Sequence, residues 1–118
     1  MIDYTGYSIA PGLVDTHIHG FGGVDVMDNN IEGTLHTMSE GLLSTGVTSF
    51  LKTTLTSSYE QLLEVTDNIG ARYQEASGAK NRGNSFEGTN FTEKYKGATH
   101  TTYLKDPSMD EVRDWRHA

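Results

Sequence analysis

The sequence predicts an α/β protein built on a parallel sheet, and three observations carry that expectation. Strand-like segments alternate with segments of helical spacing three times along the 118 residues, the order that βαβ units produce. The polar residues with the richest chemistry, His17, His19 and Glu87, fall at the C-terminal ends of the strand-like segments. An open three-stranded parallel sheet leaves reactive edges and uncovered faces, and closure into an eight-unit (β/α) barrel removes both. The expectation is therefore a partial (β/α) barrel of about three βα units.

The first strand lies in the apolar run Pro11-Gly12-Leu13-Val14-Asp15-Thr16-His17-Ile18-His19. Alternation along a strand puts Asp15, His17 and His19 on one face and Val14, Thr16 and Ile18 on the other. Two imidazoles on one face can chelate one divalent metal, with Asp15 placed to accept a free ring N–H. The Gly20-Phe21-Gly22-Gly23 segment reads as a turn beside those ligands, since it lacks the G-x-G-x-x-G order of a dinucleotide site. Ile31, Leu35, Met38, Leu42 and Leu43 recur at helical spacing and predict a first helix over 31–44, with Asp28, Asn29 and Asn30 available as caps.

Val47 to Leu51, rich in β-formers and opened by Gly46, predicts the second strand. Ser58 and Gln61 form a capping-box pattern for a helix to about Gln74, with Tyr59, Leu62, Leu63, Ile69 and Tyr73 along one side and Gly78 beyond its end. A third strand is expected only at 85–87. The polar run Lys80-Asn81-Arg82-Gly83-Asn84-Ser85 stands where an apolar strand belongs and is expected to be weakened, displaced or exposed, because burying such groups unpaired costs about 1 to 3 kcal/mol each. Asp106-Pro107 opens the last helix, with Pro at its first position and Met109, Val112 and Trp115 on its buried side.

Composition bounds the partners. Nine basic against sixteen acidic residues give a net charge of −7, which argues against nucleic-acid and anionic-membrane binding, both of which need a basic patch. With no Cys there is neither a disulfide framework nor a thiolate metal site, and no run approaches the roughly 20 apolar residues of a membrane span. A cytoplasmic protein is the expectation. His36 and His117 read as a helix-face and a terminal histidine, and the exposed pair Lys94 and Lys96 could equally attract a phosphate or serve only as solvated charge.

The segment PGLVDTHIHGFGGVDVMD at 11–28 resembles the N-acetylglucosamine-6-phosphate deacetylase family of the metal-dependent amidohydrolase superfamily, and STGVTSFLKTTLTS at 44–57, FEGTNFTEKYKGA at 86–98 and YLKDPSMDEVRDW at 103–115 continue the likeness in order. The resemblance implies a partial TIM-type barrel over 11–118, with 1–10 as a lead-in strand or the end of a small β-sandwich domain. By it, His17, His19 and Glu87 match metal ligands for zinc, iron or a similar divalent ion, while Ala98, Thr99 and His100 fall in the substrate-contacting segment. It implies an amino-sugar phosphate substrate, hydrolytic release of acetate, and a homo-oligomeric full-length relative.

Family members are some three times longer and draw two further metal-binding histidines and an acid/base aspartate from later strands. The chain alone is therefore expected to be inactive, and no residue in it takes the proton-shuttle role. Three departures stand out: Lys52 replaces a usual proline, Thr89-Asn90 follows Glu87-Gly88 where Pro and an aromatic are usual, and Thr99-His100-Thr101-Thr102 replaces Gln-Asn-Pro or His-Asn-Pro. Two alternatives stay open at this point. One is a non-catalytic metal-binding or interaction remnant; the other is a related enzyme such as an N-acetylgalactosamine-6-phosphate deacetylase.

Overall fold

The computed structural model describes residues 2–28, 31–70 and 77–117. Strand β1 (Leu13–Ile18) leads into a small antiparallel hairpin, β2 (Gly20–Phe21) and β3 (Val24–Asp25), before helix α1 (Ile31–Leu43). Strand β4 (Val47–Thr54), helix α2 (Tyr59–Gly70), strand β5 (Lys80–Phe86) and helix α3 (Met109–His117) follow, with single 3₁₀ turns at Glu93–Tyr95 and Thr101–Tyr103. The main sheet is parallel throughout, in the order β1-β4-β5. Both crossovers carry a helix, as parallel neighbours require.

The hairpin turn is Gly22-Gly23, both with positive φ (67° and 87°), the conformation that matches strand twist and that glycine enters without strain. Asp28 Oδ2 accepts the Asp25 N–H at 2.8 Å and ties off the hairpin. Asn29 and Asn30 lie outside the described residues. The core sits between sheet and helices, where Val26, Leu35, Met38, Leu42, Val47, Phe50, Val65 and Ala79 are all buried. Leu35, Met38 and Leu42 come from the predicted face of α1. On α2, Leu62 is buried and Ser58 Oγ accepts the Gln61 N–H at 3.2 Å, but the Gln61 side chain pairs with Ser57, so only half of the capping box forms. The predicted extension of α2 to Gln74 lies outside the described residues, as does the Tyr73 contact.

Two expectations need correction. The polar run 80–85 is not displaced: β5 holds a parallel ladder with β4 from Lys80 to Phe86, with one register shift, though Asn81 and Asn84 do leave buried amide atoms without partners. A ladder is a backbone interaction, and the side chains divide so that Lys80 and Arg82 are exposed while Asn81 is buried, with its Oδ1 on the Gly83 N–H. In α3, Pro107 precedes the helix by two residues, and Met109 (65% exposed) and Val112 (44%) face solvent. Only Trp115 is buried, stacked on Phe86 at 5.2 Å between ring centroids. The helix otherwise leans on α2, where Tyr59 OH donates to Asp114 Oδ2 at 2.7 Å.

Lys52 carries a burial cost. It lies in the central strand with no exposed surface, and its Nζ has no hydrogen-bond partner. Burial pulls its pKa down from 10.5 to about 8. Below pH 8 the amine is charged in the folded and unfolded chain alike and the full desolvation cost is present; above about 10.5 it is neutral in both and the cost is gone. Stability from this group therefore rises with pH between those values. Lys52→Met should be more stable than the parent at pH 7 in urea unfolding, and its advantage should shrink by roughly 3 kcal/mol by pH 10.5. Parallel pH profiles for the two proteins would contradict this.

Candidate metal centre

The site begins with an irregularity in β1. Asp15 pairs with Phe50 and Ile18 with Lys52, so β1 spends one residue more than β4 over that step. A bulge of this kind re-aims the side chains it carries, and His17 lies within it. The two rings meet edge to face, centroids 5.0 Å apart, with their Nε2 atoms 3.3 Å from each other. Across β4, the end of β5 delivers Glu87, whose Oε2 lies 3.3 Å from His17 Nε2 and 2.9 Å from His19 Nε2. The sheet order thus brings together, from positions 17, 19 and 87, the three residues expected to bind metal.

Glu87 is fixed by its backbone. Its N–H donates to Thr54 O at 3.2 Å, and its carbonyl accepts from Thr56 Oγ1 at 3.1 Å. The chain then turns sharply at Gly88 (φ 92°), where a Cβ would collide with Thr56 Oγ1. Thr89 follows with φ 55°, the one non-glycine residue with positive φ among the described residues. Its N–H donates to Thr56 Oγ1 at 3.2 Å and its carbonyl accepts from the Lys105 N–H at 2.8 Å.

The ring partner differs from the one expected. Asp15 Oδ1 accepts the backbone N–H of His17 at 3.1 Å rather than an imidazole hydrogen. Instead, His19 Nδ1 lies 3.0 Å from the Thr53 carbonyl. A carbonyl oxygen only accepts, so Nδ1 carries the hydrogen and the neutral ring presents a bare Nε2 lone pair. That lone pair faces the Glu87 carboxylate and His17 Nε2 together. His19 Nε2 and the Glu87 carboxylate are both acceptors, and a hydrogen on His17 Nε2 could bridge to only one of them at a time. Two ligand atoms held about 2.0 to 2.1 Å from a single ion stand about 2.8 to 3.4 Å apart at octahedral to tetrahedral angles. The three observed separations fall within that span, so the residues fit one divalent cation.

His19 and Glu87 also form one end of a cleft of about 620 Å³ that the loop after β5 closes with Ala98, Thr99 and His100, the three residues expected to meet substrate. His100 is also bound locally, its Nδ1 accepting the Thr102 N–H at 3.3 Å. Of the two lysines, Lys96 lines the cleft and donates to Thr99 O at 2.8 Å, whereas Lys94 stands over the Tyr95 ring. Leu55, Thr56, Phe91 and Tyr95 line the cleft without having been singled out. Phe91 had a signal: it is the aromatic that follows Glu87-Gly88, two positions later than Thr89. His36 is exposed on α1.

No protein-family profile matches the chain. The N-acetylglucosamine-6-phosphate deacetylase of Vibrio furnissii is 36% identical over 108 residues, which is 91% of this chain and 27% of the relative. The crystal structure of the Thermotoga maritima N-acetylglucosamine-6-phosphate deacetylase aligns over 88% of this chain and 28% of its own, with a TM-score of 0.76 and 34% identity. The chain is similar, in sequence and in fold, to an N-terminal segment of N-acetylglucosamine-6-phosphate deacetylases. It spans little more than a quarter of the length of these deacetylases. An N-acetylgalactosamine-6-phosphate deacetylase of Escherichia coli O157:H7 is also 36% identical, over 105 residues, 88% of this chain and 28% of the relative.

A proline at position 89 is incompatible with the local backbone, since its ring holds φ near −65° and removes the N–H given to Thr56. Thr89→Pro should destabilise the chain by about 3 kcal/mol or more in chemical unfolding, while Thr89→Gly should be tolerated. Equal midpoints for Thr89→Pro and the parent would contradict the geometry.

Proposed function

We propose that residues 11–118 form the opening βα units of an amidohydrolase (β/α) barrel, preceded by a lead-in at 1–10, and carry the first part of the metal site of an N-acetylglucosamine-6-phosphate deacetylase working in the cytoplasm. The convergence of His17 Nε2, His19 Nε2 and Glu87 Oε2 on one point carries this reading. A divalent ion such as zinc or iron, when bound, would polarise the acetamide carbonyl and acidify a water molecule. The chain's own contribution is to hold three lone pairs at ligand spacing, to keep the His19 hydrogen on Nδ1, and to present a cleft wall.

That wall fits an amino-sugar phosphate in character. Leu55, Phe91 and Ala98 offer apolar surface beside the acetyl-reacting end, and the backbone of 97–99 offers polar groups next to the Lys96 ammonium. The likeness to the Escherichia coli N-acetylgalactosamine-6-phosphate deacetylase supports a second reading with the epimeric sugar as substrate. Both readings use the same ligands and the same hydrolysis.

Calorimetric titration with zinc tests the site. One saturable ion per chain is expected, with affinity reduced at least about a hundredfold in His17→Ala or His19→Ala and about tenfold in Glu87→Gln. Absence of saturable binding in the parent would sink the proposal. In a deacetylation assay with N-acetylglucosamine 6-phosphate and zinc, the 118 residues by themselves should release acetate no faster than the zinc blank, because the acid/base aspartate that the family takes from a later strand is not among them. Release above the blank, lost in Glu87→Gln, would contradict that division of roles.

A further inference from the structure

Two separate atoms of Thr53 touch the His-x-His segment. Its carbonyl accepts from His19 Nδ1 at 3.0 Å, and its Oγ1 accepts the N–H of Ile18, the residue between the two histidines, at 3.2 Å. The hydroxyl's own hydrogen is directed to Leu51 O at 3.4 Å, within the same strand. Thr53 has no exposed surface, so neither contact competes with water. The Ile18 contact falls where the β1 ladder has slipped by one residue, between the pairs Asp15↔Phe50 and Ile18↔Lys52.

From this geometry we infer that Thr53 is a positioning residue for the metal site: its hydroxyl pins the bulged backbone between His17 and His19, and its carbonyl fixes which nitrogen of His19 faces the ion. The bulge sets the angle between the two imidazoles, and the Ile18 N–H is the backbone group midway between them. Holding that group from the neighbouring strand locks the bulge, and with it the 3.3 Å spacing of the Nε2 atoms. A valine in the same place keeps the shape and the carbonyl but offers Ile18 no acceptor. A serine keeps the acceptor. The inference rests on the metal-site reading for its functional meaning, but the clamp itself is a property of the metal-free chain.

Two measurements separate the two claims. The first is amide hydrogen exchange by NMR on the metal-free protein: in Thr53→Val the Ile18 amide should exchange at least about tenfold faster, with Phe50 in the core of β4 unchanged, and Thr53→Ser should match the parent. The second is zinc affinity by calorimetry: Thr53→Val should bind about ten- to a hundredfold more weakly, the range for partners that orient a ligand, and Thr53→Ser within about threefold of the parent. Should Thr53→Val not fold, Thr53→Ala removes the same oxygen without crowding and is read in the same way. Unchanged Ile18 exchange overturns the clamp, as does a serine variant as weak as the valine. If the parent binds no zinc, the metal reading falls, and the exchange data alone decide the clamp.

Discussion

The parallel pairing of β1 and β5 with opposite edges of β4 is the constraint on which everything at the site depends. Strand β4 alone touches both partners, and its register with each sets how far along the sheet their ends reach. Because all three strands run the same way, their C-terminal ends share one rim, where Thr53 meets His19 and Thr54 receives Glu87. A slip of one residue in either ladder would turn the ligand face over. The core behind β4 resists such a slip, since Phe50 and Val47 are packed among α1 and α2 side chains.

That register places His17 Nε2, His19 Nε2 and Glu87 Oε2 against one another, two of them fixed as acceptors, an arrangement that a hydrogen on His17 or a cation between them relieves. Most proteins separate such groups or give them hydrogen-bond donors. Here the His19 ring hydrogen goes to the Thr53 carbonyl, and the backbone N–H groups of Glu87 and His17 go to Thr54 and Asp15. Backbone and carboxylate groups hold these residues in place with His17 Nε2, His19 Nε2 and Glu87 Oε2 facing a common point.

Much of this was legible in the sequence for a physical reason. His17, His19 and Glu87 occupy strand ends, where local pattern and topology coincide, and the Gly22-Gly23 turn and the α1 face follow from conformational and periodic rules. Reading the polar run at 80–85 as a poor strand weighed side chains alone, whereas the pairing of β5 is a backbone matter and only Asn81 and Asn84 leave buried amide atoms unpartnered. Met109 and Val112 looked buried from helical spacing, yet how much of a helix is covered depends on its neighbours, and of the three expected residues only Trp115 is buried, against Phe86. The Thr53 carbonyl is a main-chain group 34 positions from His19 and leaves no trace in residue identity. Asp15 followed the alternation rule, and the bulge after it breaks that rule.

One ion at this site would take its ligands from both edge strands of the sheet at once, at their shared C-terminal rim. X-ray absorption spectroscopy on the zinc-loaded chain tests it most directly. The innermost coordination shell should contain two imidazole nitrogens and a carboxylate oxygen at about 2.0 to 2.1 Å, with one imidazole lost in His17→Ala and the carboxylate lost in Glu87→Gln. A shell with fewer than two imidazoles, or one unchanged by either substitution, would contradict it.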